Sequence, residues 1–307
     1  MKNPGNNSIV ISDEVDAALH ERRGVVALET TIVVHGFPSP VNLEVASACE
    51  DAVRQGGSVP ATIGVLEGRV VVGMSVEELE RLSEPRREAS KLSARDLGVA
   101  IGLRGDGATT VAATVTVAHR SGISVMATGG LGGVHREAVT SFDESADLTG
   151  LSRTPVLVVA SGVKSILDIG ATLERLDSLG VAVVGYRTLS FPGFYRSESG
   201  FPLDWSVDDP AQAAAAFLAH REFSSSGFLL ANPVDASHQL DAQLHHDALE
   251  SALGVARASG VTGKAVTPVL LAEFARFTSG ASVQVNRDLV IANARLAGEV
   301  AAALAGA

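Results

Sequence analysis

Cysteine is nearly absent. Cys49 stands alone in 307 residues, so neither an internal disulfide nor a metal-thiolate cluster can be built. Aromatic residues make up 4% of the chain, with one Trp and two Tyr, which leaves the interior to Ala, Val, Leu and Ile. No apolar run reaches the ~18 residues that a membrane-spanning helix requires. Residues 1–20 show no basic segment followed by an apolar one, so no secretory signal is expected. Basic residues do not predominate either: 24 Lys and Arg face 35 Asp and Glu, a net charge of −11. That balance argues against nucleic acid or an anionic membrane as the main partner, while a local basic pocket for a phosphorylated small molecule stays compatible with it. Common nucleotide and hydrolase signatures are missing too. Gly130-x-Gly132-x-x-His135 lacks the third glycine of a dinucleotide fingerprint, and there is no Walker A loop, G-x-S-x-G elbow or H-E-x-x-H. The expectation is a cytoplasmic enzyme or binding protein.

What is present is a repeated unit: helix, glycine, apolar strand, polar loop. It occurs at Thr110–Thr128 and again at Ile166–Tyr186. This is βαβ patterning and predicts an α/β protein with a mainly parallel sheet, read as one domain over 1–307 with 1–8 disordered. Before the first repeat, the pattern predicts a helix from Ser12 to about Glu21, a buried strand Gly24–Leu28, an irregular loop His35–Pro40 and a helix Val41–Gln55. Strands Ala61–Leu66 and Arg69–Val72 are joined at Glu67-Gly68, as in a tight hairpin. A helix Ser75–Leu82 carries its cap at Ser75. Later come a helix from Thr109-Thr110 to Gly122, a strand Ile123–Ala127, a strand Pro155–Ala160 and a helix Val163–Leu176. After Tyr186 a long loop gathers five of the thirteen aromatics, up to Trp205. It precedes a helix Asp209–Ala219, a strand Gly227–Ala231, and helices from His238 onward broken at Gly260, Gly263 and Gly280.

The chemistry-bearing residues gather around 128–168. Lys164 follows a buried strand and is predicted in the first turn of a helix. The helix dipole there disfavours a cation by roughly 0.3–1 kcal/mol, and a neutral amine is what a Schiff-base nucleophile needs. An outward-pointing surface lysine is the plain alternative. Glu29, at the end of an apolar strand, is a candidate general acid/base; a carboxylate satisfied by neighbouring hydroxyls is its plain alternative. Asp143, Ser145 and Asp147, at i, i+2 and i+4 of a loop, can converge on an oxygen-ligated cation such as Mg²⁺ or Mn²⁺. The glycines at 105 and 107, ahead of Thr109-Thr110, offer an anion site or an ordinary cap. Lys91 lies in the charged run PRREASKLSARD, which reads as solvated surface, and His135 reads as structural. Together these residues point to lyase- or aldolase-like chemistry on a small phosphorylated sugar.

Several blocks jointly carry a resemblance: VALETTIVVHGFP, VPATIGVLEGR, KLSARDL, GATTVAAT, ATGGLGGVHR, FDESADL, GVKSILD, ANPV and GKAVTP. Over about Val25 to Ala301 the chain resembles the pseudouridine-5′-phosphate glycosidase family, also called indigoidine synthase A-like. The resemblance implies a three-layer α/β/α fold assembled as a homotrimer, one Mn²⁺ per subunit, and reversible cleavage of the C–C bond between ribose 5-phosphate and uracil. It implies that Lys164 forms an imine with C1 of the ring-opened sugar, that Glu29 moves the protons, and that Asp143 anchors the metal mostly through waters. It also implies substrate contacts by Lys91, Val111, Ser145, Ala146, Asp147 and Asn286. The chain departs from the family pattern at VVHGFP, HREAVTSFDES, FSSSGFLLANPV and SGVKS. These departures leave open a larger planar aromatic acceptor, joined to ribose 5-phosphate by a C-glycosynthase in secondary metabolism. A catalytically idle sugar-phosphate binder would require Lys164 or Glu29 to face away from the pocket.

Overall fold

A computed structural model describes residues 8–84, 86, 88–261 and 266–307. Eleven strands form one sheet: β1 (Ile9–Ile11), β2 (Val25–Glu29), β3 (Val59–Leu66), β4 (Arg69–Val72), β5 (Ser90–Leu92), β6 (Gly107–Thr109), β7 (Val125–Ala127), β8 (Leu157–Ala160), β9 (Ala182–Tyr186), β10 (Ser206–Val207) and β11 (Phe228–Ala231). Their order is β1-β4-β3-β2-β7-β8-β11-β9-β10, with β6 also on β3 and β5 on β6. Pairing is parallel except where β4 and β6 meet β3. The cause of the first reversal is local. Glu67 and Gly68 both adopt positive φ, 50° and 74°, which the two central residues of a type I′ hairpin turn require. The core strands β2, β3 and β8 are buried at every position, as strands covered on both faces must be.

The helices are α1 (Asp13–His20), α2 (Val41–Gln55), α3 (Val76–Ser83), α4 (Leu97–Gly102), α5 (Val111–Arg120), α6 (Ala138–Ser141), α7 (Ala146–Ser152), α8 (Ile169–Ser178), α9 (Pro210–Phe223), α10 (Ala242–Ser259), α11 (Val266–Phe277) and α12 (Ala281–Ala305). α12 packs with α2 and α9 on one side of the sheet, and α5 with α7 on the other, giving the expected α/β/α layering. Starts follow local chemistry. Ser12 caps α1, and Ser75 with Glu78 forms a reciprocal capping box on α3, satisfying amides that the first turn leaves free. Glycine decides the α12–α2 contact, since a Cβ on Gly298 would stand 2.6 Å from the Val53 carbonyl oxygen.

Two expectations are corrected here. The short strands β5 and β6 replace the charged run and the glycine turn, so Lys91 lies in the sheet and is half-buried. The helix after β8 begins at Ile169, capped by Asp168, whose Oδ1 accepts from Ala171 N at 2.9 Å. Trp205 is 72% exposed, whereas Phe191, Phe194 and Tyr195 of the same loop are buried. The expected break at Gly263 and the first seven residues of the stretch 1–8 expected to be disordered lie outside the described residues, while Ser8 is ordered enough to accept from Val70 N at 2.8 Å. Among the described residues no helix is long and apolar enough to cross a membrane.

Candidate active site

The carboxyl ends of neighbouring parallel strands are where open α/β sheets receive ligands. Here β2 ends in Glu29 and its neighbour β7 is followed at once by Thr128. Glu29 is 7% exposed. Its Oε1 accepts from the Thr128 hydroxyl at 2.5 Å, and its Oε2 from the Thr31 hydroxyl. A carboxylate taken from water is tolerable only with such donors. The same donors hold its orientation.

Lys164 reaches the same place by a different route from the one expected. Past β8, Gly162 takes φ +82°, where a side chain would run into the Pro192 carbonyl. The chain then runs beside the loop that follows β7: Leu131 N donates to Gly162 O, and Lys164 N to Leu131 O, both at 3.0 Å. Lys164 therefore sits in this paired loop five residues before α8, and the helix-dipole argument does not apply to it. Val163, Ile166 and Leu167, whose spacing mimicked a helix, are apolar because the loop buries them. The Lys164 Nζ donates to the Gly130 carbonyl at 2.7 Å. Thr128, which holds Glu29, and Gly130, which holds Lys164, belong to one short loop.

The third side of the site comes from 142–147. Asp147 does not join Asp143 on a cation. It is 6% exposed, and its two oxygens accept from the backbone amides of Ala112 and Gly132, each at 2.9 Å. It thereby clamps the start of α5 to the glycine loop. Ser145 caps α7, its Oγ accepting from Asp147 N. Asp143 has a half-buried side chain, and its Oδ2 lies 3.9 Å from His135 Nδ1. Among the described residues no group of three or more His, Cys, Asp and Glu could enclose an ion. Asp143 is left as one hard oxygen donor, which fits a divalent cation that keeps most of its waters and not a closed protein cage.

These elements enclose a cavity of about 510 Å³. Glu29, Lys91, Val111, Asp143, Ser145, Ala146, Asp147, Lys164 and Asn286 all line it, so neither Lys164 nor Glu29 faces away. Asn286 Oδ1 and Thr110 Oγ1 are buried without a partner among the described residues, leaving hydrogen-bonding capacity for a ligand. His35 also lines the cavity. Burial first, and then the charge of Lys91, hold its imidazole below its usual range despite a bond with the Ala89 backbone. Sequence reasoning missed Thr128 and Asn293. The signal for Asn293 was a second amide, seven residues after Asn286, on the helical stripe of α12 that carries Leu289, Val290 and Ala297.

The family described as indigoidine synthase A like protein matches residues 14–303. A pseudouridine-5′-phosphate glycosidase of Salinispora tropica is 58% identical over 95% of this chain and 90% of the relative. The enzyme of that name from Streptomyces griseus is 49% identical over 99% and 95%. Among solved structures, the prealnumycin C-glycosynthase AlnA in complex with ribulose 5-phosphate superposes with a TM-score of 0.90 at 40% identity, covering 99% of this chain and 98% of that one. An indigoidine synthase A-like protein of Thermotoga maritima gives 0.88 at 33% identity, covering 99% and 100%. The chain belongs to the indigoidine synthase A-like family of enzymes.

Proposed function

We propose that this enzyme makes and breaks the C–C bond between C1 of ribose 5-phosphate and a planar aglycone, with uracil as the default. The observation that carries the reading is that an amine, Lys164, and a buried carboxylate, Glu29, line one cavity and are each held by the same loop. Such a bond cannot be opened by the paired-carboxylate mechanism of ordinary glycosidases, because its leaving atom is carbon. In the synthetic direction the Lys164 amine condenses with the open-chain aldehyde, releasing water, and the C=N bond becomes an electron sink. The aglycone carbon adds to it, Glu29 takes the proton from that carbon, and a sugar hydroxyl displaces the amine to close the ring. Cleavage is the reverse. Lys91, Val111, Ser145, Ala146 and Asn286 line the space for sugar phosphate and aglycone, and Asp147 is assigned there through the backbone amides it orients. Asp143 would hold Mn²⁺, one per subunit, which when bound offsets phosphate charge. A homotrimer is the assembly this reading expects, and sedimentation checks it.

A second reading places a larger aromatic acceptor in the same cavity. It is favoured by an apolar wall of Ile32, Leu167, Phe194, Pro268 and Leu271 and by the superposition on a C-glycosynthase. The test is incubation of the protein with Mn²⁺ and pseudouridine 5′-phosphate, following uracil by chromatography. Release that disappears in Lys164→Ala and Glu29→Gln, while ribose 5-phosphate still binds, supports the first reading. No release, with borohydride still fixing ribose 5-phosphate on Lys164, moves the aglycone to the second. Turnover near wild type in Lys164→Ala would end the imine mechanism.

A further inference from the structure

We infer that Asn293 is a positioning residue for this reaction, setting the loop that holds both the proton-transfer group at the end of β2 and the nucleophile past β8; the inference rests on the roles proposed for Glu29 and Lys164. Asn293 touches neither of them. It lies on α12 with no exposed surface, next to the buried Leu289, Val290, Leu296 and Ala297. Its Nδ2 donates to the Thr128 carbonyl at 2.8 Å, with the Gly129 carbonyl at 3.4 Å and Ser161 Oγ at 3.1 Å. Its Oδ1 accepts from Asn232 Nδ2 at 2.9 Å. Two carbonyls on one side and a donor on the other fix which end of the amide is nitrogen.

The placement explains why an amide is needed. Thr128, Ser161 and Asn232 are each the first residue beyond β7, β8 and β11, three adjacent strands. Beyond the strand ends the sheet no longer satisfies every carbonyl, and a buried one without a donor costs about 1–3 kcal/mol. Asn293 supplies the donor. In doing so it fixes the backbone of 128 and 129 between two functional contacts: the Thr128 hydroxyl on Glu29 at 2.5 Å and the Gly130 carbonyl on Lys164 Nζ at 2.7 Å. A shift of this loop moves carboxylate and amine relative to one another. Remote misplacement of about 1 Å can cost roughly a hundredfold in rate.

Asn293→Asp tests it, because the shape is kept while an oxygen replaces the donor facing two carbonyls. Wild-type and variant proteins are incubated with ribose 5-phosphate and borohydride, and the adduct on Lys164 is followed by intact mass, per folded molecule. The expected result is a trapping rate lower by about a hundredfold, with the half-saturating ribose 5-phosphate concentration within about threefold of wild type. A merely structural role would lower the melting temperature and leave the rate per folded molecule alone. Wild-type rate in folded Asn293→Asp overturns the inference by itself. Absence of any adduct in wild type overturns the lysine reading and this inference with it. Should Asn293→Asp not fold, Asn232→Asp decides: it sets an acceptor against Oδ1 and turns the amide the wrong way. A slower rate supports the inference, and an unchanged one overturns it.

Discussion

Replacing Asp147 by Asn tests the clamp on which the cavity wall depends. Both carboxylate oxygens accept from backbone amides, the buried one of Ala112 and the half-buried one of Gly132, at 2.9 Å. Hydrogen bonds to a charged group each contribute about 1.5–3 kcal/mol, and a buried donor left unpaired costs about 1–3 kcal/mol. Asn keeps one acceptor as a weaker neutral bond and turns an NH₂ toward the other amide. The net loss is therefore about 2–4 kcal/mol. With about 2.1 cal/mol/K of unfolding entropy per residue, a chain of 307 residues shifts by about 1.5 °C per kcal/mol. The melting temperature should fall by about 3–6 °C. Calorimetry at fixed protein concentration measures this, and Asp147→Ala, which strands both amides, should fall further. A melting temperature within about 1 °C of wild type for Asp147→Asn would refute the clamp, since no pair of buried charge-assisted bonds is lost so cheaply.

Two further outcomes follow from packing and titration. Gly298→Ala should destabilise by about 1–3 kcal/mol, because its Cβ meets the Val53 carbonyl oxygen at 2.6 Å; urea unfolding checks it, and a neutral result would mean α12 can move away from α2. His245 packs against Tyr195 and Phe274, and burial first, then the charges of Arg196, Arg136 and His246, push it down to about 4 from 6.5. The unfolded chain takes up that proton first, so His245 costs nothing above about pH 6.5 and stability falls as pH drops toward about 4, by at most about 1.4 kcal/mol per unit before solvent screening. The fall should be shallower in His245→Phe, and identical slopes in the two proteins would refute it.

Elements whose cause lies within a few residues are legible in the amino-acid sequence alone. The capping serines at 12 and 75, the α2 helix ending at Gly56 and the Glu67-Gly68 hairpin follow from hydrogen bonds and φ preferences between near neighbours in the chain. Glu29 at its strand end and the acidic loop at 143–147 can be singled out for the same reason. Where the local pattern misleads, a long-range contact has overridden it. Apolar spacing at 163–167 imitates a helix because the loop is buried against the segment after β7. Lys91 looks like surface because three-residue strands carry too little pattern to be seen.

The alternating parallel architecture, the starts of α1, α2, α3, α5, α9 and α12, and the residue types available for chemistry can all be read from the chain itself. Only the tertiary structure decided which of them meet. Lys164 is aimed by a carbonyl 34 residues away, Asp147 bonds to amides 15 and 35 residues away, and Asn293 reaches back 165 residues to Thr128. Those bonds exist because burying a polar group is tolerable only when a partner is delivered to it, and that delivery is made by the sheet order, which no local stretch of the chain encodes.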